Sequence, residues 1–116
     1  MSTILIIEDE ALIAQDLALI LEDAGYEDSI IALSADEAVE MAKATPPTLI
    51  ISDHDLEGQI TGPEVVAEIC KLHGPIPTIY VTGKPDLCRA VAHEAVLAKP
   101  VQEDHLINIV QSTLAS

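Results

Sequence analysis

Five short apolar runs alternate with segments of helical periodicity along the chain, and this alternation constrains the fold most strongly. The runs lie at residues 4–7, 29–33, 48–52, 77–81 and 95–98. Each run is almost continuously apolar, as in strands that are buried on both faces. Strands that alternate with helices form a parallel sheet covered by helices on both sides. The pattern therefore predicts an α/β fold with a five-stranded parallel sheet.

The segments between the runs carry signals for the starts and ends of helices. Gly25 stands where a left-handed residue ends the first helix, and Ser34-Ala35-Asp36-Glu37 is a capping box that opens the second. Pro46-Pro47 stops the second helix, and Pro63 suits the first turn of the third. An Ala-rich fourth helix is predicted over residues 86–93. The predicted buried stripes of the first, third and last helices are Ile13, Leu17, Ile20 and Ala24; Val65, Ile69 and Leu72; and Leu106, Val110 and Leu114.

The order of these elements predicts one doubly wound domain that spans residues 1–116. Five strands and five helices in strict alternation suit a flavodoxin-like (βα)5 sheet of strand order 2-1-3-4-5. In such sheets the ligand site lies beyond the carboxyl ends of the strands, where strands 1 and 3 diverge. Right-handed crossovers bring strands 4 and 5 alongside the same crevice.

Five polar residues follow four of the predicted strands. Glu8 and Asp9 follow the first strand, Asp53 the third, Thr82 the fourth and Lys99 the fifth. The predicted topology makes all five converge on one crevice. Carboxylates, a hydroxyl and an amine in one crevice indicate an aspartate that accepts a phosphoryl group with the help of a metal ion.

An aspartate oxygen is a weak nucleophile toward phosphorus, so the transferred charge must be neutralised by other groups. Mg²⁺ prefers hard oxygen ligands and retains several waters. We expect Asp9 and Asp53 to bind Mg²⁺ directly, Glu8 to support it through water, and the backbone carbonyl of Asp55 to complete the protein ligands.

The other two polar groups are expected to stabilise the product of the transfer. Lys99 would pair with Asp53 before transfer and with a phosphoryl oxygen afterwards. The hydroxyl of Thr82 would hydrogen-bond another phosphoryl oxygen. Taken singly, each of these residues has an ordinary structural explanation: Asp9 and Glu10 as caps of the first helix, Thr82 as a turn residue and Lys99 as a solvated charge.

Charge and composition exclude several classes of function. The formal net charge of -15, from 20 acidic and 5 basic residues, opposes direct binding to nucleic acids or anionic membranes. No apolar stretch is long enough to span a membrane, and the start lacks a signal peptide, so a cytoplasmic location is expected. Cys70 and Cys88 lack ligand spacing and suggest reduced packing residues. The histidines lack zinc-site spacing and suggest surface or loop residues, namely His54, His73, His93 and His105.

The ordered motifs resemble the receiver domain of bacterial response regulators. They are Ile7-Glu8-Asp9-Glu10 after the first strand, Asp53 after the third, Val81-Thr82-Gly83 after the fourth and Lys99-Pro100 after the fifth. The resemblance covers essentially the whole chain. It implies that a phosphohistidine on a sensor histidine kinase or a histidine phosphotransfer protein donates to Asp53 with bound Mg²⁺. It also implies a cis Lys99-Pro100 peptide bond.

Several positions depart from the usual receiver pattern. Glu57 replaces a proline, Gly62 comes one residue late, and Val96 and Val101 stand where aromatic residues are common. Conventional coupling between the threonine and an aromatic residue is therefore expected to be absent. Tyr80-Val81-Thr82-Gly83 is similar to the F-A-T-G motif of an atypical receiver subgroup known from alphaproteobacterial stress signalling.

Asp55 and Lys84 occupy positions where receivers tune the lifetime of the phosphoryl group. We expect a salt bridge between them to shield the site mouth from water.

We predict a stand-alone receiver without an output domain, a monomer or weak dimer that does not turn over a substrate. It would contact a downstream protein through the fourth helix, fifth strand and fifth helix, or act as a phosphorelay intermediate or phosphate sink. The alternative is a small haloacid-dehalogenase-like phosphatase, since Asp53-His54-Asp55 is a DxD string. Those enzymes, however, place the string after their first strand. A flavin carrier is disfavoured because the chain has no Phe or Trp to stack on the cofactor.

Overall fold

The structure is a computed structural model, and it describes residues 3–56, 60–83 and 95–115. The strands are β1 (Ile4–Ile7), β2 (Ser29–Ala32), β3 (Leu49–Ser52), β4 (Thr78–Thr82) and β5 (Ala95–Ala98). The helices are α1 (Ala11–Asp23), α2 (Ala35–Ala44), α3 (Gly62–His73) and α4 (Glu103–Ala115). Three predicted strands are displaced by one residue at one or both ends. The helix predicted at residues 86–93 lies outside the described residues.

The five strands form one parallel sheet of order β2-β1-β3-β4-β5, which confirms the predicted topology. The last residue of β1, Ile7, lies between Ala32 and Ser52, so the carboxyl ends of three strands are level. One further hydrogen bond extends the pairing beyond them, because the Asp53 N–H donates to the Ile7 carbonyl at 3.0 Å. The residue after β3 is therefore anchored against the end of β1.

The sheet is buried on both faces, as its continuous apolar runs predict. Every residue of β1, β3 and β4 is buried. Ile4 and Ile6 face the core beneath α1 and α4, whereas Leu5 and Ile7 face the core beneath α2 and α3. This alternation follows from the two-residue period of a strand. In the described part of the chain, no helix is long and apolar enough to cross a membrane.

The helix ends follow the sequence signals with one difference. Gly25 has φ 98°, which confirms the predicted left-handed residue after α1. The Ser34 hydroxyl accepts from the Glu37 N–H at 3.2 Å, as expected for a capping box. The Glu37 carboxylate, however, accepts from the Leu33 N–H at 3.1 Å. The Glu37 side chain therefore binds the amide of Leu33, one residue before the N-cap Ser34, whereas a capping box predicts the amide of Ser34 itself.

The predicted buried stripe of α3 was wrong at Leu72, which is 46% exposed. Val65 and Ile69 are buried as expected, but Val66 is buried too and Cys70 packs against the same core. These two residues turn the buried side of the helix away from Leu72, because successive helical residues are 100° apart.

His73 is exposed, which confirms its expected surface position, but it also makes a contact that the sequence did not predict. Its ring Nε2 lies 2.7 Å from the Ala42 carbonyl oxygen. With Nε2 as the donor, this hydrogen bond ties the end of α3 to the last turn of α2.

Candidate functional site

Three carboxylates meet at the carboxyl edge of the sheet. Glu8 and Asp9 lie between β1 and α1, and Asp53 directly follows β3. One carboxylate oxygen from each lies within 4.8 Å of the others. Glu8 is 1% exposed and Asp53 is 8% exposed, so two of the three are buried. The cluster forms because β1 and β3 are parallel neighbours that end at the same level, so the residues after them lie at one edge of the sheet.

Lys99 supplies the positive charge at the centre of the cluster. Its Nζ lies 3.0 Å from Glu8 Oε2 and 3.1 Å from Asp53 Oδ2. Its backbone N–H donates to the Thr82 carbonyl at 3.0 Å, which fixes Lys99 at the end of β4. The Lys99-Pro100 peptide bond is cis, as the resemblance implied. The pairing with Asp53 was expected from the sequence, but the pairing with Glu8 was not.

Burial and charge shift the pKa values of Glu8 and Lys99. Burial raises the pKa of Glu8 from 4.5 to about 6, and the negative charge of Asp53 adds to this rise, while Lys99 opposes it. Burial of Lys99 by itself lowers its pKa, but hydrogen bonds and charge from Glu8 and Asp53 outweigh this effect, and the pKa is raised. The ammonium group stays charged, and the cluster retains an excess of negative charge.

The second oxygen of Asp53 is held by the backbone. The His54 N–H donates to Asp53 Oδ1 at 2.7 Å, while Lys99 holds Oδ2. The side chain of His54 is 14% exposed, and its Nδ1 lies 2.8 Å from Asp55 Oδ1. His54 lies in the loop after β3, which confirms the expectation of a surface or loop residue, but its contact with Asp55 was not predicted. A short DxD string carries no signal for this local pairing.

The loop after β3 returns to the site before α3 begins. Asp55 and Thr61 form an antiparallel bridge, and the Gly62 N–H donates to the His54 carbonyl at 2.6 Å. Thr61 and Glu64 form a complete capping box that starts α3. The Thr-x-x-Glu pattern was visible in the sequence and was missed. Glu57 lies outside the described residues.

Residues 4–111 match the sequence model of the response regulator receiver domain family. The chain belongs to this family. The match of the sequence to this family thus agrees with the fold and with the position of the acidic cluster in the structure.

This receiver is similar to two characterised regulators. It is 32% identical over 117 residues to the phyllosphere-induced regulator PhyR of Methylorubrum extorquens, covering 96% of this chain and 43% of PhyR. It is 36% identical over 112 residues to the transcriptional regulatory protein PdtaR of Mycobacterium tuberculosis, covering 93% of this chain and 54% of PdtaR. The chain therefore spans about half the length of these relatives.

The same relationship is seen in three dimensions. The solution structure of the receiver domain of Erythrobacter litoralis PhyR superposes with a TM-score of 0.86 at 26% identity. The match covers 97% of this chain and 89% of that domain.

The acidic cluster of this receiver has the donor chemistry of a magnesium site. Glu8, Asp9 and Asp53 provide only hard carboxylate oxygens, which suit Mg²⁺ better than zinc or copper. The alternative that the acids only cap α1 is not supported for Glu10, which occupies the N-cap without a side-chain capping bond. The role of the Asp55 backbone carbonyl as a further ligand stays a prediction.

Thr82 is the remaining predicted site residue, and it lies at the edge that carries the cluster. It ends β4, is 1% exposed and pairs with Ala98 of β5. Tyr80, two residues earlier in β4, is 1% exposed, which confirms its expected packing in this strand. Lys84, the expected partner of Asp55, lies outside the described residues.

Proposed function

We propose that this receiver accepts a phosphoryl group on Asp53 from a phosphohistidine of a sensor histidine kinase or histidine phosphotransfer protein. The observation that carries the proposal is the buried Asp53 carboxylate, held 3.1 Å from Lys99 and beside the carboxylates of Glu8 and Asp9. This arrangement presents a nucleophile, a fixed cation and a set of metal ligands at one edge of the sheet. Receivers of this kind transmit signals in two-component systems.

In the proposed transfer, an oxygen of Asp53 forms a bond to phosphorus as the bond from phosphorus to the donor histidine nitrogen breaks. The donor imidazole leaves with the electron pair of that bond. Lys99 then exchanges part of its pairing with Asp53 for a phosphoryl oxygen, and the Thr82 hydroxyl donates to another. Glu8, Asp9, Asp53 and the Asp55 carbonyl would hold Mg²⁺, which neutralises phosphoryl charge when bound.

The output of the receiver is proposed to be contact with another protein, in the cytoplasm. The formal net charge of -15 opposes direct binding to nucleic acids and membranes. A downstream protein would recognise β5, α4 and residues 86–93, or the domain would serve as a phosphorelay intermediate or phosphate sink. It would act as a monomer or weak dimer, and its own dephosphorylation would reset the signal without turnover of a separate substrate.

The switch is proposed to follow the atypical F-A-T-G subgroup. Val96 is a partly buried residue of β5 that packs against the core with Tyr80. Since an aliphatic residue replaces the usual aromatic switch residue, the response would depend on movement of Thr82 and the loop after it. Membership of the receiver family favours the acceptor function over the phosphatase alternative.

The proposed function is tested by measuring the intact mass of the protein after incubation with acetyl phosphate. With Mg²⁺ present, the wild-type chain is expected to gain one phosphoryl group that is released by hydroxylamine, as an acyl phosphate is. Chelation of divalent ions with EDTA is expected to abolish the gain, because the charge on the transferred group is then not neutralised. Absence of an adduct and of released phosphate in the presence of Mg²⁺ would contradict the proposal.

The lifetime of the phosphoryl group is expected to depend on Asp55 and Lys84. Asp55→Ala and Lys84→Ala should each hasten loss of the phosphoryl group by up to about fivefold, since an exposed ion pair contributes up to about 1 kcal/mol. The measurement is the decay of the phosphorylated mass after removal of acetyl phosphate. Asp55 has two candidate partners, His54 and Lys84. The His54→Ala variant tests the first by itself, because it removes the observed contact between His54 and Asp55 and leaves Lys84 in place. Unchanged decay in both alanine variants would remove the shielding hypothesis.

A further inference from the structure

The peptide group between Asp53 and His54 connects a buried hydroxyl with the proposed phosphoacceptor carboxylate. On its carbonyl side, the Ser52 hydroxyl donates to the Asp53 carbonyl oxygen at 2.8 Å. On its amide side, the His54 N–H donates to Asp53 Oδ1 at 2.7 Å. A trans peptide group is planar, so its carbonyl and its N–H rotate as one unit. The hydroxyl that holds the carbonyl therefore also fixes the direction of the N–H.

Gly62 packs against the carbonyl side of this peptide group, next to Ser52. Its N–H donates to the His54 carbonyl at 2.6 Å, and its Cα packs against the backbone of Asp53. A Cβ at Gly62 would overlap the Asp53 carbonyl oxygen and would lie 2.7 Å from Ser52 Oγ. Gly62 is not among the described glycines with positive φ, so lack of space, and not backbone conformation, requires glycine here.

We propose that Ser52 and Gly62 are positioning residues that set the orientation of the Asp53 carboxylate through the peptide group 53–54. The terminal torsion of an aspartate is soft, so a carboxylate without fixed partners rotates over a wide range. Here Oδ1 is fixed by the His54 N–H, and that N–H is fixed by Ser52 and Gly62. Ser52 is 1% exposed, so water does not replace its hydroxyl without rearrangement.

The consequence for phosphoryl transfer rests on the proposed acceptor function of Asp53. A nucleophile held in its reactive orientation reacts faster than one that must first be oriented. Loss of the Ser52 hydroxyl is therefore expected to slow the transfer more than it weakens Mg²⁺ binding, because Glu8 and Asp9 still provide their carboxylates.

The first test needs no phosphodonor. In ¹⁵N-labelled protein, the amide proton of His54 is expected to resonate far downfield, since it donates to a carboxylate. Ser52→Ala should move this resonance upfield, and Ser52→Thr, which retains a hydroxyl, should restore it. The matched control is Thr78→Val, which deletes a buried hydroxyl that donates to the Ile76 carbonyl at 3.1 Å, at the opposite end of β4 from the site. It should leave the His54 resonance in place.

The second test measures the rate of phosphorylation by acetyl phosphate at saturating Mg²⁺. Ser52→Ala is expected to react about fivefold more slowly, since one buried hydrogen bond contributes on the order of 1 kcal/mol. Its Mg²⁺ affinity should stay within about twofold of wild type, as should the reaction rate of Thr78→Val. If circular dichroism shows that Gly62→Ala is folded, this variant should react at least as slowly as Ser52→Ala, because the added methyl group displaces the Asp53 carbonyl.

The outcomes separate the two proposals. An unmoved His54 resonance in Ser52→Ala, or a wild-type reaction rate in that variant, would overturn the positioning role. If the His54 resonance shifts in Ser52→Ala but the wild-type protein accepts no phosphoryl group, the structural connection is supported. The acceptor function of Asp53 is then overturned.

Discussion

The Asp53→Asn variant is expected to gain no phosphoryl group under conditions in which the wild-type chain is fully converted. Asparagine has the same shape and retains an oxygen that can accept from the His54 N–H, so the fold and the loop should be preserved. Its amide lacks the anionic oxygen that attacks phosphorus, and it removes one carboxylate from the proposed magnesium site. The measurement is intact mass after incubation with acetyl phosphate and Mg²⁺.

The matched control is Asp28→Asn, which makes the same chemical change at an exposed position. Asp28 precedes β2 at the amino edge of the sheet, opposite the acidic cluster. This variant should gain the phosphoryl group as the wild type does. An Asp53→Asn chain that is phosphorylated at the wild-type rate would place the acceptor at a different residue.

The Glu8→Gln variant is expected to be more stable than the wild type at neutral pH when no divalent ion is present. Folding raises the pKa of Glu8 from 4.5 to about 6. A carboxyl group with a raised pKa favours the folded state when protonated. Its contribution to stability is fully present below pH 4.5 and is lost as the pH rises through about 6. At pH 7 the ionised group costs about 2 kcal/mol, since one pKa unit corresponds to about 1.4 kcal/mol.

Urea unfolding between pH 5 and 8 measures this effect. The free energy of unfolding of the wild type should fall relative to that of Glu8→Gln as the pH rises, with the difference approaching about 2 kcal/mol at pH 7. Glu22→Gln, at an exposed position of α1, removes the same charge from an acidic protein and corrects for general repulsion. A constant difference between the Glu8 and Glu22 variants across this pH range would contradict the raised pKa.

Magnesium is expected to reverse the order of stability. The wild-type chain should gain stability with rising Mg²⁺ concentration, because binding to the folded state alone shifts the unfolding equilibrium. Glu8→Gln should gain less, since it loses one of the three clustered carboxylates. The same cluster would thus destabilise the metal-free fold and bind the ion.

The pattern of apolar runs was sufficient to predict the order of the sheet. Continuous burial in β1, β3 and β4 requires helices on both faces, and right-handed crossovers then leave few possible strand orders. Once the strands are ordered, the positions of Asp53 and Lys99 directly after β3 and β5 bring them to one edge. Their contact at 3.1 Å was therefore accessible from sequence and topology together.

The burial of side chains at helix ends was harder to predict. Leu72 has the spacing of a buried residue, yet Val66 and Cys70 turn the apolar side of α3 away from it. Periodicity gives the existence of an apolar stripe, but the direction in which the helix rests on the sheet decides which residues lie at its edge.

The sequence by itself determined the order of the described strands and helices, the sheet topology and the set of acidic and basic residues that follow the strands. These features depend on local periodicity and general rules of chain connection. Only the tertiary structure decided that Lys99 also contacts Glu8, that the His54 N–H holds Asp53, and that Gly62 has no room for a side chain. These contacts form or break when loops shift by a few tenths of an ångström. The relative positions of the loops are set by packing of the whole domain, which leaves no periodic pattern in the sequence.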